Sequence, residues 1–276
     1  MNQTRQHAES SGAYARPVRV GAVSFLNTRP LIEGLADDAR IELVYGVPAR
    51  LAEQLASRQL DVALIPVVDY ACSPEPLAIL SDACIAADGE TLTVRIFSRV
   101  PPDRIDTLHV DGDSHTSVAL ARLLAARVYR RPIDIRPLAR DAALTEHQAV
   151  LLIGDKVVSA QVEAFDYDVD LGGAWKAWTG LPFVFAVWAT RTPDAYAWVA
   201  DALSAARDRG VAVSPWIAER DGPELGWPVP AAVDYLTNKL SFTLGPRFRR
   251  GMELFLQSVA EHGIVAARNN TLAATP

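Results

Sequence analysis

Residues 18–31 read VRVGAVSFLNTRPL, an apolar run followed directly by polar residues that are typical of a helix start. The run predicts a buried strand, and Asn27 or Thr28 as N-cap, with Pro30 in the first turn, predicts a helix immediately after it. A strand that leads directly into a helix points unpaired backbone N–H groups at the space beyond the strand end. Ser24 and Asn27 add side-chain hydrogen-bonding groups there, so this stretch predicts a site for a small anionic ligand.

The apolar pattern that follows predicts an alternating α/β fold. Residues 41–45 alternate apolar and polar, and Pro48 opens a helical pattern with leucines four residues apart. Residues 62–65 then form an apolar strand that stops at Pro66. Short apolar strands in the order β-α-β-α-β are typical of a parallel sheet covered by helices.

A further strand is predicted at 91–98, where the alternation places Thr93 and Arg95 on one face. That face is polar enough to line a cleft rather than a core. The pair Pro101-Pro102 breaks the chain directly afterwards and marks the first expected domain boundary.

A second α/β unit follows this break. Residues 108–110 and 150–153 predict strands, 115–129 an alanine- and leucine-rich helix, and 183–189 a hydrophobic strand that returns the chain to the first unit. We therefore expect a two-lobed α/β fold with the second lobe inserted in the first and a ligand cleft between them.

The expected division of the chain has three parts. Residues 1–16 are polar and predict a disordered tail, 17–99 plus 188–276 form lobe 1, and 100–187 form lobe 2.

Composition limits the classes of function. The chain of 276 residues carries 27 basic and 33 acidic residues, a net charge of −6, which argues against a general nucleic-acid or anionic-membrane surface. Cys72 and Cys84 have no zinc-ligand spacing, so reduced structural thiols and no metal site are expected. No apolar run is long enough for a membrane span or a secretory signal, so we expect a cytoplasmic protein.

Several polar segments follow predicted strands. Ligands in open α/β sheets bind outside the carboxyl ends of the strands, so these segments should face one another across the cleft. Their candidate binding residues are Ser24, Asn27, Pro66, Ser114, Thr116, Ser117, Gly154 and Asp155.

Five motifs occur together and in order. They are SFLNTRPL (24–31), LDVALIPVVDY (60–70), DGDSHTSVALARLL (111–124), IGDKV (153–157) and TGLPFVFAVW (179–188). In these the chain resembles the chorismate dehydratase family of the futalosine route to menaquinone. The resemblance implies a type 2 periplasmic-binding-protein-like fold and a cofactor-free lyase. Such an enzyme converts chorismate, a small dicarboxylate, to 3-[(1-carboxyvinyl)oxy]benzoate and water.

The resemblance also implies roles for individual residues. Asn27 matches a functionally important asparagine, Thr93 stands where the family usually has serine, and Phe183 could wall a pocket for an aromatic ring. The alternatives are a plain helix cap for Asn27, an ordinary strand threonine for Thr93, and a core position for Phe183. His115 stands where the family usually has arginine, and Arg95 is a possible substitute for that cation.

The catalytic base stays open at this point. The substrate's own enolpyruvyl carboxylate is one hypothesis, and Asp155 is the rival, with a helix cap as its structural alternative. For the whole protein, the alternatives are a non-catalytic solute-binding protein, the enzyme that cyclises dehypoxanthine futalosine, and a ligand-sensing regulator domain. The second would carry different glycine and threonine motifs, and the third would need a DNA-binding helix-turn-helix.

Overall fold

The computed structural model describes residues 16–139 and 142–265. The expected disordered tail, 1–16, lies outside the described residues except for Arg16, which donates hydrogen bonds of 2.8 and 2.9 Å to the carboxylate of Asp61.

The described strands form two sheets. In chain order they are β1 (Val18–Val23), β2 (Ile41–Gly46), β3 (Val62–Pro66), β4 (Ala78–Ala87), β5 (Val94–Ser98), β6 (Thr107–Val110), β7 (Asp134–Pro137), β8 (Ala149–Ile153), β9 (Tyr167–Asp170), β10 (Phe183–Thr190) and β11 (Ser241–Thr243). The first sheet has the order β11-β4-β10-β3-β1-β2, and the second has the order β7-β6-β8-β5-β9.

Helices cover both sheets. The described α-helices are α1 (Pro48–Ala56), α2 (Val67–Cys72), α3 (His115–Arg127), α4 (Lys156–Ser159), α5 (Leu171–Thr179), α6 (Ala197–Ala212), α7 (Ser214–Asp221), α8 (Val229–Asp234) and α9 (Pro246–Glu261). None of them is long and apolar enough to cross a membrane.

The chain leaves the first sheet after β4 and returns to it with β10. The second sheet is therefore an insertion, and the expected two-lobed α/β architecture is confirmed. We call the first sheet with its helices lobe 1 and the second sheet with its helices lobe 2. The first three strands are parallel, as predicted, whereas β10 runs antiparallel to both β3 and β4 in the same sheet. In the second sheet β6 is parallel to β7 and β8.

The sheets to which two strands belong differ from the expected lobe bounds. β5 pairs with β8 and β9 in the second sheet, although the expected lobe 1 extended to residue 99. β10 pairs with β3 and β4 in the first sheet, although residues up to 187 were expected in lobe 2. Alternation of side chains reveals a strand's faces but not its hydrogen-bonding neighbours.

We propose that the chain passes between the lobes just before β5 and just before β10.

The segment after β1 is a 3₁₀ helix, Leu26–Ile32, and its N-cap is Phe25. The prediction of Asn27 or Thr28 as the N-cap is therefore wrong, because the helix begins earlier and places both residues inside its first turns. Helix α6 continues through Gly210 to Ala212. A Cβ at Gly210 would overlap the backbone of Pro30, so this glycine lets α6 pack closely on the 3₁₀ helix.

Both cysteines are free thiols, as expected. The Cys84 side chain is fully buried on β4, and this burial raises the pKa of its thiol to about 12. Within the described ranges no group of three or more His, Cys, Asp or Glu side chains could hold a metal ion.

Candidate active site in the cleft between the lobes

A cleft of about 520 Å³, counting the part open to solvent, lies where residues of both lobes meet. The polar side chains in its wall are Asn27, Thr91, Thr93, Ser114, Ser117 and Tyr235. The rest of the wall consists of Gly154 and the apolar residues Val23, Phe25, Pro48, Pro66, Ile85, Val94, Ile153, Phe185, Ala186 and Leu240.

The two candidate catalytic residues meet at one phenol group. The Asn27 side-chain nitrogen donates to the Tyr235 hydroxyl over 3.2 Å, and the Tyr235 and Thr93 hydroxyl oxygens lie 2.6 Å apart. Asn27 comes from lobe 1, and Thr93 directly precedes β5 in lobe 2. The cleft therefore brings together an amide and a hydroxyl from opposite lobes, whereas the expected lobe bounds placed both residues in lobe 1.

Tyr235 begins a π-helical segment, Tyr235–Lys239, that continues α8. Its ring is buried and stacks on Trp227 with a centroid distance of 4.7 Å and an interplanar angle of 14°. Burial raises the pKa of the Tyr235 phenol, so it is neutral and has a proton to donate.

Ser114 and Ser117 occupy the first turn of α3. Ser114 is the N-cap, and its Oγ accepts hydrogen bonds from the backbone N–H of Ser117 at 3.4 Å and from the Ser117 hydroxyl at 3.1 Å. The Ser114 proton remains free to donate into the cleft, and the α3 dipole adds a partial positive charge at the same place.

The charged groups expected near the cleft are engaged elsewhere. His115 Nδ1 lies 2.7 Å from Asp69 Oδ1, and Arg95 donates to Asp168 over 2.7 Å. Neither His115 nor Arg95 lies in the wall of the cleft, and in the part of the chain that the structure describes no charged side chain does. The substrate-binding role expected for Arg95 is thus not supported by its position.

Asp155 links the lobes beside the cleft. Its carboxylate accepts the Leu26 N–H at 3.2 and 3.3 Å and the Trp227 indole N–H at 2.9 Å. Asp155 is the N-cap residue of α4, as its structural alternative predicts, but its side chain makes no cap hydrogen bond to that helix. Burial raises the pKa of Asp155, and the two donors partly offset that effect.

Gly154 has a left-handed backbone conformation and lies close to the other lobe. It has a φ of +64°, and a Cβ added there would lie 2.7 Å from the ring of Phe25 in lobe 1. Its N–H donates to the Thr93 carbonyl at 2.9 Å. Only glycine fits this left-handed conformation and this close approach without strain.

Three further candidates lie behind the wall of the cleft. The Ser24 N–H and hydroxyl donate to the Gly46 carbonyl at 3.1 and 3.4 Å. Thr116 is fully buried, and its hydroxyl oxygen accepts the Val68 N–H at 3.3 Å. Phe183 packs against other aromatic rings in the core of lobe 1, and Phe185 lies in the wall instead.

Eleven residues of the wall were not among the candidates from the sequence, and four of these are polar or aromatic: Phe25, Thr91, Phe185 and Tyr235. Phe25 lies inside the quoted SFLN motif, and Thr91 shares the predicted polar face with Thr93, so a local signal existed for both. Tyr235 carries no such signal, because an aromatic residue in a helical region reads as core.

Comparison with solved structures of the same architecture defines the class of protein. The chain is similar to a protein of Archaeoglobus fulgidus, with a TM-score of 0.70, 16% identity and coverage of 91% of this chain and 100% of that one. It is also similar to the periplasmic aliphatic sulphonate binding protein of Escherichia coli, with a TM-score of 0.66, 12% identity and coverage of 93% and 96%. Fold and cleft together define a two-lobed protein of the periplasmic-binding-protein-like class.

The sequence identifies the family within that class. The profile of the family described as "Menaquinone biosynthesis" matches residues 18–261, and the chain belongs to this family. A chorismate dehydratase of Thermus thermophilus is 28% identical over 262 residues, which cover 88% of this chain and 96% of that protein.

Proposed function

We propose that this protein is a lyase that dehydrates chorismate to 3-[(1-carboxyvinyl)oxy]benzoate and water in menaquinone biosynthesis by the futalosine route. Membership of the menaquinone biosynthesis family and the likeness to the Thermus thermophilus chorismate dehydratase support this assignment. The cytoplasmic location stays a prediction from the sequence.

One observation carries the proposal. Asn27 and Thr93, the two residues that the resemblance marks as functional, approach the same buried hydroxyl in the wall of a cleft with a mostly apolar lining. An amide and a hydroxyl can hold a leaving hydroxyl group by hydrogen bonds, and neither can act as a strong base. Preorganised donors of this kind act most strongly where water is excluded.

Binding of a dicarboxylate would rely on neutral donors. The Ser114 hydroxyl and the N-terminus of α3 offer one carboxylate a hydrogen bond and a favourable dipole. The apolar wall around Phe25 and Phe185 suits the ring. This arrangement would bind the substrate without a cation, although the family usually has arginine at position 115.

The C3 proton requires a base, and no acidic or basic side chain lines the described part of the cleft. We propose that the enolpyruvyl carboxylate of chorismate takes this proton. The electron pair of the C3–H bond then forms the new ring double bond, and the C4–O pair leaves with the hydroxyl group. The carboxylic acid formed in this way returns its proton to the leaving hydroxyl, which becomes water. The carboxylate is thereby regenerated, and the reaction needs no redox partner. Intramolecular proton transfer benefits from a high effective molarity.

The direct test mixes purified protein with chorismate and follows products by chromatography and mass spectrometry. The expected product is lighter than chorismate by one water, is aromatic and retains its enolpyruvyl group. If chorismate is returned unchanged but raises the thermal midpoint of the protein, the cleft is a binding site. The solute-binding alternative then replaces the lyase.

Variants test the assignment of the base. We expect Asn27→Ala and Thr93→Val to lower kcat by about 100-fold each, as for the loss of a transition-state donor. Asp155→Asn should retain more activity than either, because Asp155 lies outside the wall of the cleft. An Asp155→Asn protein that binds chorismate normally but does not turn it over would identify Asp155 as the acid or base instead.

A further inference from the structure

The Tyr235 hydroxyl is the shared partner of the two candidate catalytic side chains. It lies 3.2 Å from Asn27 Nδ2 and 2.6 Å from Thr93 Oγ1, and the Tyr235 side chain is only 1% exposed. Tyr235 belongs to lobe 1, so its bond to Thr93 also crosses between the lobes.

The neighbouring groups determine which atom donates and which accepts in each hydrogen bond of this network. Asn27 Oδ1 accepts the Thr28 hydroxyl at 3.3 Å, which turns the amide nitrogen toward Tyr235. An amide nitrogen only donates, so the Tyr235 oxygen is the acceptor in that bond. If Tyr235 then donates its single proton to Thr93, the Thr93 proton is left for a group in the cleft.

We propose that Tyr235 is a positioning residue that accepts from Asn27, donates to Thr93 Oγ1, and so aims the Thr93 O–H at the departing C4 hydroxyl group. This inference rests on the proposed dehydration. It assigns to Tyr235 the task of aligning Asn27 and Thr93 before the substrate reacts.

Packing holds the phenol in place for this task. The Tyr235 ring stacks on Trp227, whose indole N–H donates to Asp155. Tyr235→Phe keeps the ring and its stacking and removes only the hydroxyl. Tyr196→Phe is the matched control, since the Tyr196 hydroxyl donates to Asp61 at 3.0 Å and lies outside the wall of the cleft.

The kinetic test is a double-mutant cycle. We expect Tyr235→Phe to lower kcat about tenfold, the loss of one hydrogen bond, with KM changed less than threefold. Thr93→Val should lower kcat more than Tyr235→Phe does, and the double variant should be no slower than Thr93→Val alone. Tyr196→Phe should match the wild type. The inference would be overturned if the double variant lowered kcat by the product of the two single-variant factors. It would also be overturned if Tyr235→Phe left kcat unchanged.

A second measurement does not depend on turnover. In ¹⁵N-labelled protein the side-chain amide signals of Asn27 can be assigned by their loss in Asn27→Ala. Tyr235→Phe should shift these signals, whereas Tyr196→Phe should leave them in place. Unshifted signals in Tyr235→Phe would overturn the inference, because Tyr235 would then not hold the amide. If the wild type fails to dehydrate chorismate, the proposed function fails, and this measurement still decides whether Tyr235 orients Asn27.

Discussion

His115 Nδ1 and Asp69 Oδ1 lie 2.7 Å apart, and this pair joins the start of α3 in lobe 2 to α2 in lobe 1. The hydrogen bond to Asp69 raises the pKa of His115, with a further increase from the charge of Asp69 and a small one from Glu53, while burial opposes them. The pair therefore makes stability, and contact between the lobes, dependent on pH.

The direction of this pH dependence follows from the difference between the folded-state and unfolded-state pKa of His115. Since the folded-state pKa of His115 is above its ordinary value of 6.5, the pair's contribution is fully present below pH 6.5 and is lost as the pH rises through the raised value. The His115 side chain is 50% exposed, so solvent screening limits the contribution to about 0.2–1 kcal/mol. His115→Gln should lower the thermal midpoint more at pH 5.5 than at pH 9. An equal decrease at both pH values would contradict this account.

Gly154→Ala should damage both stability and catalysis. The left-handed backbone of Gly154 disfavours a side chain by about 1–2 kcal/mol. The new methyl group would also push the Phe25 ring, which forms part of the cleft wall. We expect a lower thermal midpoint and a decrease in kcat/KM of at least tenfold.

Gly180→Ala is the control for Gly154→Ala. Gly180 has a similar φ of +71°, but a Cβ there would contact nothing within 4 Å, and it lies outside the wall of the cleft. It should lose comparable stability and keep normal kinetics. Equal kinetic losses in the two variants would show that backbone strain, and not contact with Phe25, causes the defect.

The sequence predicts the position of the cleft well, because its motifs are local and follow strand ends. Asn27, Ser114 and Gly154 each come shortly after a strand, and the carboxyl ends of strands converge in this type of fold. The wall of the cleft contains all three.

The differences between the expected and the observed site have identifiable causes. Arg95 was expected on the cleft face because it alternates with Thr93, but Thr93 precedes the regular strand, which begins at Val94, and Arg95 donates to Asp168 outside the wall of the cleft. Tyr235 could not be predicted, because it is 208 residues from Asn27 in sequence and only the fold brings them together.

Asp155→Ala should weaken closure of the lobes rather than the chemical step. The substitution leaves the Leu26 N–H and the Trp227 indole N–H without their acceptor, which costs about 1–3 kcal/mol when such groups stay buried. We expect KM to rise by about tenfold with a smaller change in kcat. Asp155→Asn retains a carbonyl acceptor and should fall between Asp155→Ala and the wild type. A normal KM in Asp155→Ala would show that this link does not contribute to closure.

Thr116 and Ser117 are neighbours in the first turn of α3, and their substitution should have opposite consequences. Thr116 is fully buried and accepts the Val68 N–H, so Thr116→Val leaves that buried N–H unpaired. We expect Thr116→Val to lower the free energy of unfolding by about 1–3 kcal/mol while KM changes little.

Ser117 lies in the wall of the cleft, where its hydroxyl donates to Ser114. Ser117→Ala frees Ser114 Oγ from that donor and loosens the group proposed to bind a carboxylate. KM should therefore rise several-fold, with the thermal midpoint close to that of the wild type. Substrate titrations and thermal unfolding of both variants measure this contrast. If Thr116→Val raised KM as much as Ser117→Ala does, Thr116 would belong to the binding surface after all, and the buried Val68 contact would be incidental to its role.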